Sequence, residues 1–422
     1  MEYQNEKVLL SIDRNELVQS LVEFASIQSP TGSERLAAEF MVQQFKKIGM
    51  KPLIQEIESD RANAVGILEG TGDGPSLMFI GHLDTPFPHS GSALGQFLKE
   101  YPPAGVVDDK WVIGMGVFNM KQSLAAYLSA VSALVRSGFK PKGDIIIAGV
   151  AGEVEKSQVP GVPEYTGSRY RGYGVGAEYL VNHGVVADMA LDGEPTNFEI
   201  CTTVFGVVWL RLRISGKSVH SALRTDEINP VEESSRLINA IKEWGNGYSQ
   251  RNLHHGVNPP TYVGAIEGGW PWRLSRTPGW CDVYVEVRTN PKQNPLGVVK
   301  EIKQLVRGFE KEQPSLEVSL EPYLSIRGSE ISPDVTIVKS LARAHKQIFG
   351  TDPKYVRSSQ MAVHQGNTVP LVTAGIPCVT YGSGTKVEGA PTHGGEYLRI
   401  DDLVKQAKVY ALLAKDIGSR SE

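Results

Sequence analysis

The spacing of apolar residues predicts alternating strands and helices in the N-terminal half of the chain. Strand patterns at 63–69 and 76–84 and an apolar run at 145–151 predict strands, and the runs at 77–80 and 145–151 predict buried ones. Apolar residues three and four positions apart predict two helices within 12–48, and the stripe that begins at Leu124 predicts another. Because strands alternate with helices, the pattern indicates an α/β fold with a mostly parallel sheet flanked by helices.

A different pattern begins near residue 203. Three segments alternate between apolar and polar residues and predict antiparallel strands, at 205–215, 261–267 and 281–288. Helical spacing occurs between and after them, at 231–243 and 296–311. The alternation of helix and strand patterns then resumes, with helices predicted at 333–349 and 401–417 and a strand at 376–381. We therefore expect one domain from 1–202 and 319–422, with an α+β domain inserted at 203–318.

Composition and charge narrow the class of protein. The chain has 422 residues, which exceeds one ordinary core, and its 41% apolar and 21% charged residues are typical of globular proteins. A net charge of −4 gives no indication of a nucleic-acid or membrane partner. The three cysteines are far apart, and we find no secretory signal and no membrane-spanning run, so we expect a cytoplasmic protein.

Candidate chemistry lies at the ends of the predicted strands. His82 and Asp84 end one apolar run, Glu153 follows the run at 145–151, and Glu194 follows the next. A spacing of two places His82 and Asp84 on one face, where a carboxylate can hold one ring N–H and leave the other nitrogen for a metal. His-x-Asp by itself is more typical of an ordinary core-edge histidine. The shared placement at strand ends, where α/β sheets bind ligands, carries the prediction.

Six motifs fall in order along nearly the whole chain. They are Gly81-His-Leu-Asp-Thr85, Gly114-Met-Gly116 before Met120-Lys121, Gly193-Glu-Pro-Thr196, Gly216-Lys-Ser-Val-His-Ser221, Val287-Arg-Thr-Asn-Pro291 and Thr392-His-Gly-Gly-Glu396. In these motifs the chain resembles the family 20 metallopeptidases, which include aminoacylases, carboxypeptidase G, acetylornithine deacetylase and succinyl-diaminopimelate desuccinylase. The resemblance implies a catalytic domain from the outer segments and an inserted lid domain that forms a homodimer. It also implies amide hydrolysis next to a carboxylate, with two zinc-like ions bridged by an aspartate.

The resemblance implies roles for four residues of the catalytic domain. His82 and Glu194 match the ligands of one metal ion, and Asp84 matches the carboxylate behind the histidine. Glu153 matches the glutamate that acts as general base on the activated water.

Three further residues match the lid and the second metal. His220 matches the lid histidine that steadies the oxyanion in the partner subunit's site. Arg288 matches the lid arginine that holds a substrate carboxylate, for which its fork of donors is suited. His393 matches the histidine of the second metal ion.

Two positions depart from the family pattern together. Asn119 stands where the family has its bridging aspartate, and Val154 stands where it has the second metal's glutamate. An amide oxygen can ligate one ion but does not neutralise two, and a valine side chain cannot ligate at all. Glu155 stays open as a replacement ligand. We therefore expect one divalent ion per subunit, manganese or zinc, held by His82, Asn119 and Glu194.

A single ion can still activate a water molecule, but it stabilises the negative charge of an amide oxyanion less than two ions would. This favours hydrolytic deamination of an aromatic amine, as in the family's conversion of 5-nitroanthranilate to 5-nitrosalicylate and ammonia, where the nitro group takes up the charge. Two alternatives stay open: an amidohydrolase or deacylase of N-acyl amino acids or small peptides, and a non-catalytic binding relative. We expect a small-molecule carboxylate as partner, with Arg288 and the second-site remnant His393 as candidate contacts, in a homodimer or higher homo-oligomer.

Overall fold

The computed structural model describes residues 2–89, 100–223, 228–313, 315–356, 366–384, 390–391 and 395–421. The chain divides into two compact units. The first contains the residues up to Thr202, then Glu330–Val356 and the C-terminal segments, and the second contains Thr203–Ser329.

The strands of the described residues are, in chain order, β1 (Lys51–Glu58), β2 (Arg61–Leu68), β3 (Leu77–His82), β4 (Gly105–Val107), β5 (Trp111–Ile113), β6 (Ile145–Val150), β7 (Met189–Asp192), β8 (Thr203–Val204), β9 (Gly206–Ser215), β10 (Thr261–Gly268), β11 (Trp280–Thr289), β12 (Glu317–Ile326), β13 (Ser329–Glu330), β14 (Cys378–Thr380) and β15 (Tyr397–Arg399). The helices are α1 (Glu2–Leu10), α2 (Arg14–Ala25), α3 (Arg35–Ile48), α4 (Gln122–Ser137), α5 (Val175–Asn182), α6 (Pro230–Arg251), α7 (Pro295–Glu312), α8 (Thr336–Phe349), α9 (Thr368–Thr373) and α10 (Ile400–Gly418). Within the described ranges, no helix combines the length and the apolar character needed to cross a lipid bilayer.

A mixed sheet forms the centre of the first unit, in the spatial order β1-β2-β6-β3-β7-β14. The four strands from β6 to β14 pair in parallel, whereas β2 runs antiparallel to both of its neighbours. The predicted α/β class is confirmed, and the sheet is mixed because β2 enters against the direction of the others. The prediction recognised β2, β3 and β6 from their apolar runs.

Helices cover both faces of this sheet, and β3 shows why its sequence is an unbroken apolar run. Leu77 and Phe79 belong to the core that contains α2, α3, α4, α8 and α10. Met78 and Ile80 belong to a separate core that contains residues of α5 and α9. A strand that is buried on both faces needs apolar side chains at every position, so alternation is absent.

The second unit is a four-stranded antiparallel sheet in the order β10-β11-β9-β12, with a core made against α6 and α7. Alternate residues of β9, such as Leu210 and Leu212, enter that core together with Leu237 and Ile302 of the helices. The prediction ended the inserted domain at residue 318. The compact unit instead continues to Ser329, because β12 pairs along β9 and therefore belongs to this sheet.

Candidate metal centre

Three neighbouring parallel strands bring three polar side chains to one edge of the central sheet. His82 ends β3, Glu153 follows β6, and Glu194 follows β7. Because the carboxyl ends of parallel strands meet at one edge, these side chains converge. Among the residues that the structure describes, their ligand atoms lie within 4.8 Å of one another, and all three side chains are buried.

The distances within this cluster are short enough for a bound cation. His82 Nε2 lies 3.3 Å from Glu194 Oε1 and 3.7 Å from Glu153 Oε2. It also lies 3.1 Å from Asn119 Oδ1, which comes from the irregular turn Val117–Lys121. Glu194 Oε1 is buried without a hydrogen-bond partner among the described groups, a costly state for a carboxylate unless a cation compensates it. One imidazole nitrogen and several oxygens form a donor set that fits manganese or zinc.

Asp84 supports the cluster in a different way from the one that its spacing to His82 predicts. His82 Nδ1 lies 2.8 Å from the main-chain oxygen of Asp84 and 3.4 Å from its carboxylate, so the main-chain carbonyl is the closer acceptor for the ring N–H. The carboxylate accepts hydrogen bonds from Thr31 Oγ1 at 2.9 Å and from the amides of Glu153 and Val154 at 2.9 and 3.1 Å. Burial opposes its charge, but His82 and these donors lower the pKa of Asp84 to about 2. Asp84 therefore fastens the segment that carries Glu153.

Glu153 is oriented by a main-chain donor. The amide of Gly366 donates to Glu153 Oε1 at 2.7 Å, while Oε2 faces His82. Burial, reinforced by the carboxylate of Glu194, raises the pKa of Glu153 well above its usual range. A raised pKa suits a carboxylate that accepts and releases a proton near neutral pH.

The electrostatics of the cluster favour a cation. Burial works against a charged imidazole, but the nearby carboxylates of Asp84 and Glu194 raise the pKa of His82 well above its usual value. The imidazole thus lies in a strongly negative environment made by three carboxylates. A bound divalent ion is the charge that such an environment compensates most directly.

The two departures from the family pattern differ in what they contribute. Asn119 presents its amide oxygen to the cluster, whereas the Val154 side chain is buried and only its main-chain N–H is used, by Asp84. The cluster of His82, Glu153 and Glu194 contains no atom of Glu155.

Glu396, the last residue of the sixth motif, was assigned no role from the sequence. Its half-buried carboxylate accepts hydrogen bonds from the amides of Phe118 at 2.9 Å and Asn119 at 3.1 Å, and desolvation raises the pKa of Glu396.

Three predicted site residues are not part of the described cluster: two belong to the second unit, and the third is not among the described residues. His220 belongs to the second unit, where its side chain is exposed and its Nδ1 accepts the amide of Ala222 at 3.2 Å. Arg288, in the same unit, donates from Nε and Nη2 to the two carboxylate oxygens of Glu286 at 2.8 and 3.2 Å. One edge of its guanidinium is therefore already occupied by a carboxylate of its own chain. His393 lies outside the described residues. The roles of these three residues stay predictions.

Comparison with known proteins agrees with this geometry. Residues 78–416 match the family model for peptidase family M20/M25/M40. The chain is 25% identical to the N-formyl-4-amino-5-aminomethyl-2-methylpyrimidine deformylase of Halalkalibacterium halodurans, covering 96% of this chain and 95% of that protein. It is 22% identical to the succinyl-diaminopimelate desuccinylase of Pelagibacter ubique, covering 95% and 97% respectively. A tripeptidase structure from Staphylococcus aureus superposes with a TM-score of 0.74 at 18% identity, covering 97% of this chain and 100% of that one. The resemblance predicted from the six motifs is confirmed, and the chain belongs to peptidase family M20/M25/M40.

Proposed function

We propose that this chain is a metal-dependent amidohydrolase that removes an acyl group from a nitrogen atom of a small molecule. The buried cluster of His82, Glu153 and Glu194 carries this proposal. Two relatives that match nearly the whole chain are named for removing formyl and succinyl groups, which supports N-acyl hydrolysis. The sequence favoured aromatic deamination because of Asn119 and Val154. Those departures bear on the number of ions more directly than on the bond that is broken.

The residues of the cluster divide the chemistry between them. A divalent cation held by His82, Glu194 and Asn119 would supply Lewis acidity, which polarises a carbonyl group and makes hydroxide available near neutral pH. Glu153 accepts a proton from the attacking water and delivers it to the leaving nitrogen. The hydrogen bond from Gly366 to Oε1 leaves Oε2 toward His82, so the basic oxygen faces the cation donors.

We infer one ion per chain, manganese or zinc. Asn119 offers a neutral oxygen in place of a bridging carboxylate, and the Val154 side chain offers no ligand atom. Elemental analysis of the purified chain should therefore give about one equivalent of zinc or manganese. The double substitution Asn119→Asp with Val154→Glu should raise the ratio toward two. A ratio of two in the unmodified chain would contradict the inference.

We also propose that the second unit joins two copies into a homodimer. β10 is an edge strand of its sheet, and Tyr262 and Ile266 on this strand are 66% and 53% exposed. Exposed apolar side chains on an edge strand are typical of surfaces that pair with another chain. Size-exclusion chromatography with light scattering should report a dimer, and Ile266→Lys should shift it toward monomer. A monomeric unmodified chain at micromolar concentration would refute the dimer.

The decisive experiment measures which bond the loaded protein breaks. The chain, supplied with zinc or manganese, is incubated with N-formyl, N-acetyl and N-succinyl amines and with 5-nitroanthranilate, and products are followed by mass spectrometry and an ammonia assay. We expect release of an acyl group, and Glu153→Gln should slow it by about 10²–10⁴-fold while the metal stays bound. Ammonia from 5-nitroanthranilate without acyl release would favour deamination instead. Metal binding without either product would favour a non-catalytic relative.

A further inference from the structure

A buried chain of hydrogen bonds ends on the residue that precedes Glu194. Ser123, near the start of α4, donates its hydroxyl to the main-chain oxygen of Gly193. The side-chain amide of Gln406, on α10, donates to Ser123 Oγ at 2.7 Å and to the hydroxyl of Tyr410 at 2.7 Å. Ser123, Gln406 and Tyr410 are all fully buried. The side-chain amide of Gln406 therefore donates hydrogen bonds to two buried hydroxyl groups of the first unit.

The hydroxyl of Tyr410 holds the main chain at the end of β14. Tyr410 donates to the main-chain oxygen of Tyr381 at 2.7 Å, directly after β14, and the amide of Tyr381 donates to the main-chain oxygen of Asp192 at 3.0 Å. β14 pairs in parallel with β7, the strand that leads to Glu194. Gln406 therefore connects the ends of both strands that meet beside Glu194.

Close packing leaves the main chain at this point little freedom. A Cβ atom on Gly193 would lie 2.3 Å from the hydroxyl of Tyr127 and 2.4 Å from Ser123 Cβ. Tyr127 also donates its hydroxyl to the main-chain oxygen of Ile80, two residues before His82. Polar side chains of α4 thus contact the main chain one residue before Glu194 and two residues before His82.

Helix packing alone does not account for Gln406. Its neighbours on the buried face of α10 include Leu403 and Ala407, and an amide in such a setting is costly unless it is hydrogen-bonded. Its Oε1 has no hydrogen-bond partner among the described groups, so only the donor half of the amide is used. An apolar residue of similar size would fill the space without that cost.

We propose that Ser123, Gln406 and Tyr410 are positioning residues that hold Glu194 at the angle and distance needed to bind the cation. They act through the main chain of Gly193 and Tyr381 and do not touch the ion. The inference rests on the proposed function, because it requires Glu194 to be a metal ligand. Residues that support a metal ligand from behind commonly alter metal affinity by about 10–100-fold.

The test measures zinc affinity, by competition with a chromophoric chelator, in the full chain without any substrate. Ser123→Ala and Gln406→Leu should each weaken zinc binding by about 10-fold. The double variant should be no weaker than either single variant, because both changes break one chain. Ser137→Ala is the matched control: its buried hydroxyl also lies in α4 but bonds to Leu134 O at 2.7 Å, at the far end of the helix.

Thermal unfolding of the metal-free variants separates positioning from stability. Zinc affinity of Ser123→Ala within about twofold of the unmodified chain would overturn the inference, as would an equal loss of affinity in Ser137→Ala. If Ser123→Ala does not fold, Tyr410→Phe, which removes a single hydroxyl, must show the affinity loss. Failure of the unmodified chain to bind either zinc or manganese would overturn the proposed function as well. Tight binding that no variant affects would overturn the inference alone.

Discussion

The ion pair between Glu34 and Arg61 allows a quantitative test of the packing behind the metal centre. Arg61 donates from Nε and Nη2 to the two carboxylate oxygens of Glu34 at 3.0 and 2.9 Å, and both side chains are fully buried. Arg61 Nη1 also donates to Ser168 O at 3.3 Å. A Cβ atom on Gly152, the residue before the base, would lie 2.1 Å from Arg61 Nη2. The pair therefore holds three segments together beside Glu153.

Arg61→Met should be strongly destabilising. It leaves the Glu34 carboxylate buried with the amide of Gly32, at 3.0 Å, as its remaining donor. Removing one partner of a buried ion pair costs about 3–5 kcal/mol, a large part of a typical unfolding free energy of about 5–15 kcal/mol. Replacing both residues, as Arg61→Met with Glu34→Leu, leaves no buried charge and should recover most of that loss.

The cost of Arg61→Met should also depend on pH. Burial, with the charge of Asp84 nearby, raises the pKa of Glu34 to about 7 even beside Arg61. A folded-state pKa above the unfolded value contributes stability at low pH that is lost as the pH rises through about 7. Arg61 lowers this pKa in the unmodified chain, so its removal should raise the pKa of Glu34 further. Because the carboxyl group ionises at its ordinary pKa in the unfolded chain but at a higher pKa in the folded variant, the variant should be less stable at about pH 8 than at about pH 5.

Urea unfolding followed by circular dichroism at both pH values measures these free energies. The control is Arg136→Met, which breaks an exposed pair with Glu16 at 2.6 Å and should cost no more than about 1 kcal/mol. A cost of Arg61→Met no larger than that of this control would refute the prediction. A double variant as unstable as Arg61→Met alone would refute it too.

Three further outcomes follow from the geometry of the site. Glu194→Ala should lose the bound metal, and full occupancy by elemental analysis would rule out its assignment as a ligand. Gly193→Ala should lower the unfolding free energy by about 1–3 kcal/mol, because its Cβ would meet the Tyr127 hydroxyl at 2.3 Å; urea unfolding measures this change. Subunits carrying His220→Ala, mixed with subunits carrying Glu153→Gln, should regain part of the activity if sites are shared between copies, and no regain would show that each chain works alone.

The periodicity of apolar residues predicted those helices and strands whose buried positions are mostly apolar. The buried runs of β3 and β6 and the stripe of α4 are examples, because each is apolar wherever it meets a core. β1 and β12 were missed because each is an edge strand in which polar residues interrupt the apolar ones, so neither has an apolar run. The strand conformation of β1 and β12 depends on pairing with β2 and β9 more than on their own sequences.

The sequence also placed the cluster residues at strand ends, where the structure brings three of them together. It did not predict what joins them. The carboxylate of Asp84 reaches the amides of Glu153 and Val154 across about seventy residues of chain, a contact that no local spacing encodes. Gln406 did give a signal, since a polar residue three positions after Leu403 falls on the apolar face of a helix. Its partner Ser123 could be found only from the fold.

Val154 meets Asp84 through its main-chain N–H, a group that every amino acid except proline possesses. This hydrogen bond therefore places no demand on the side chain at this position, and an acid could replace the aliphatic residue without loss of the bond to Asp84. An acid in this buried place would be costly without a cation beside it. A lineage that acquired the carboxylate would be expected to acquire its ion at the same time, so gain and loss of a second ion would be a short and reversible step in the history of such enzymes.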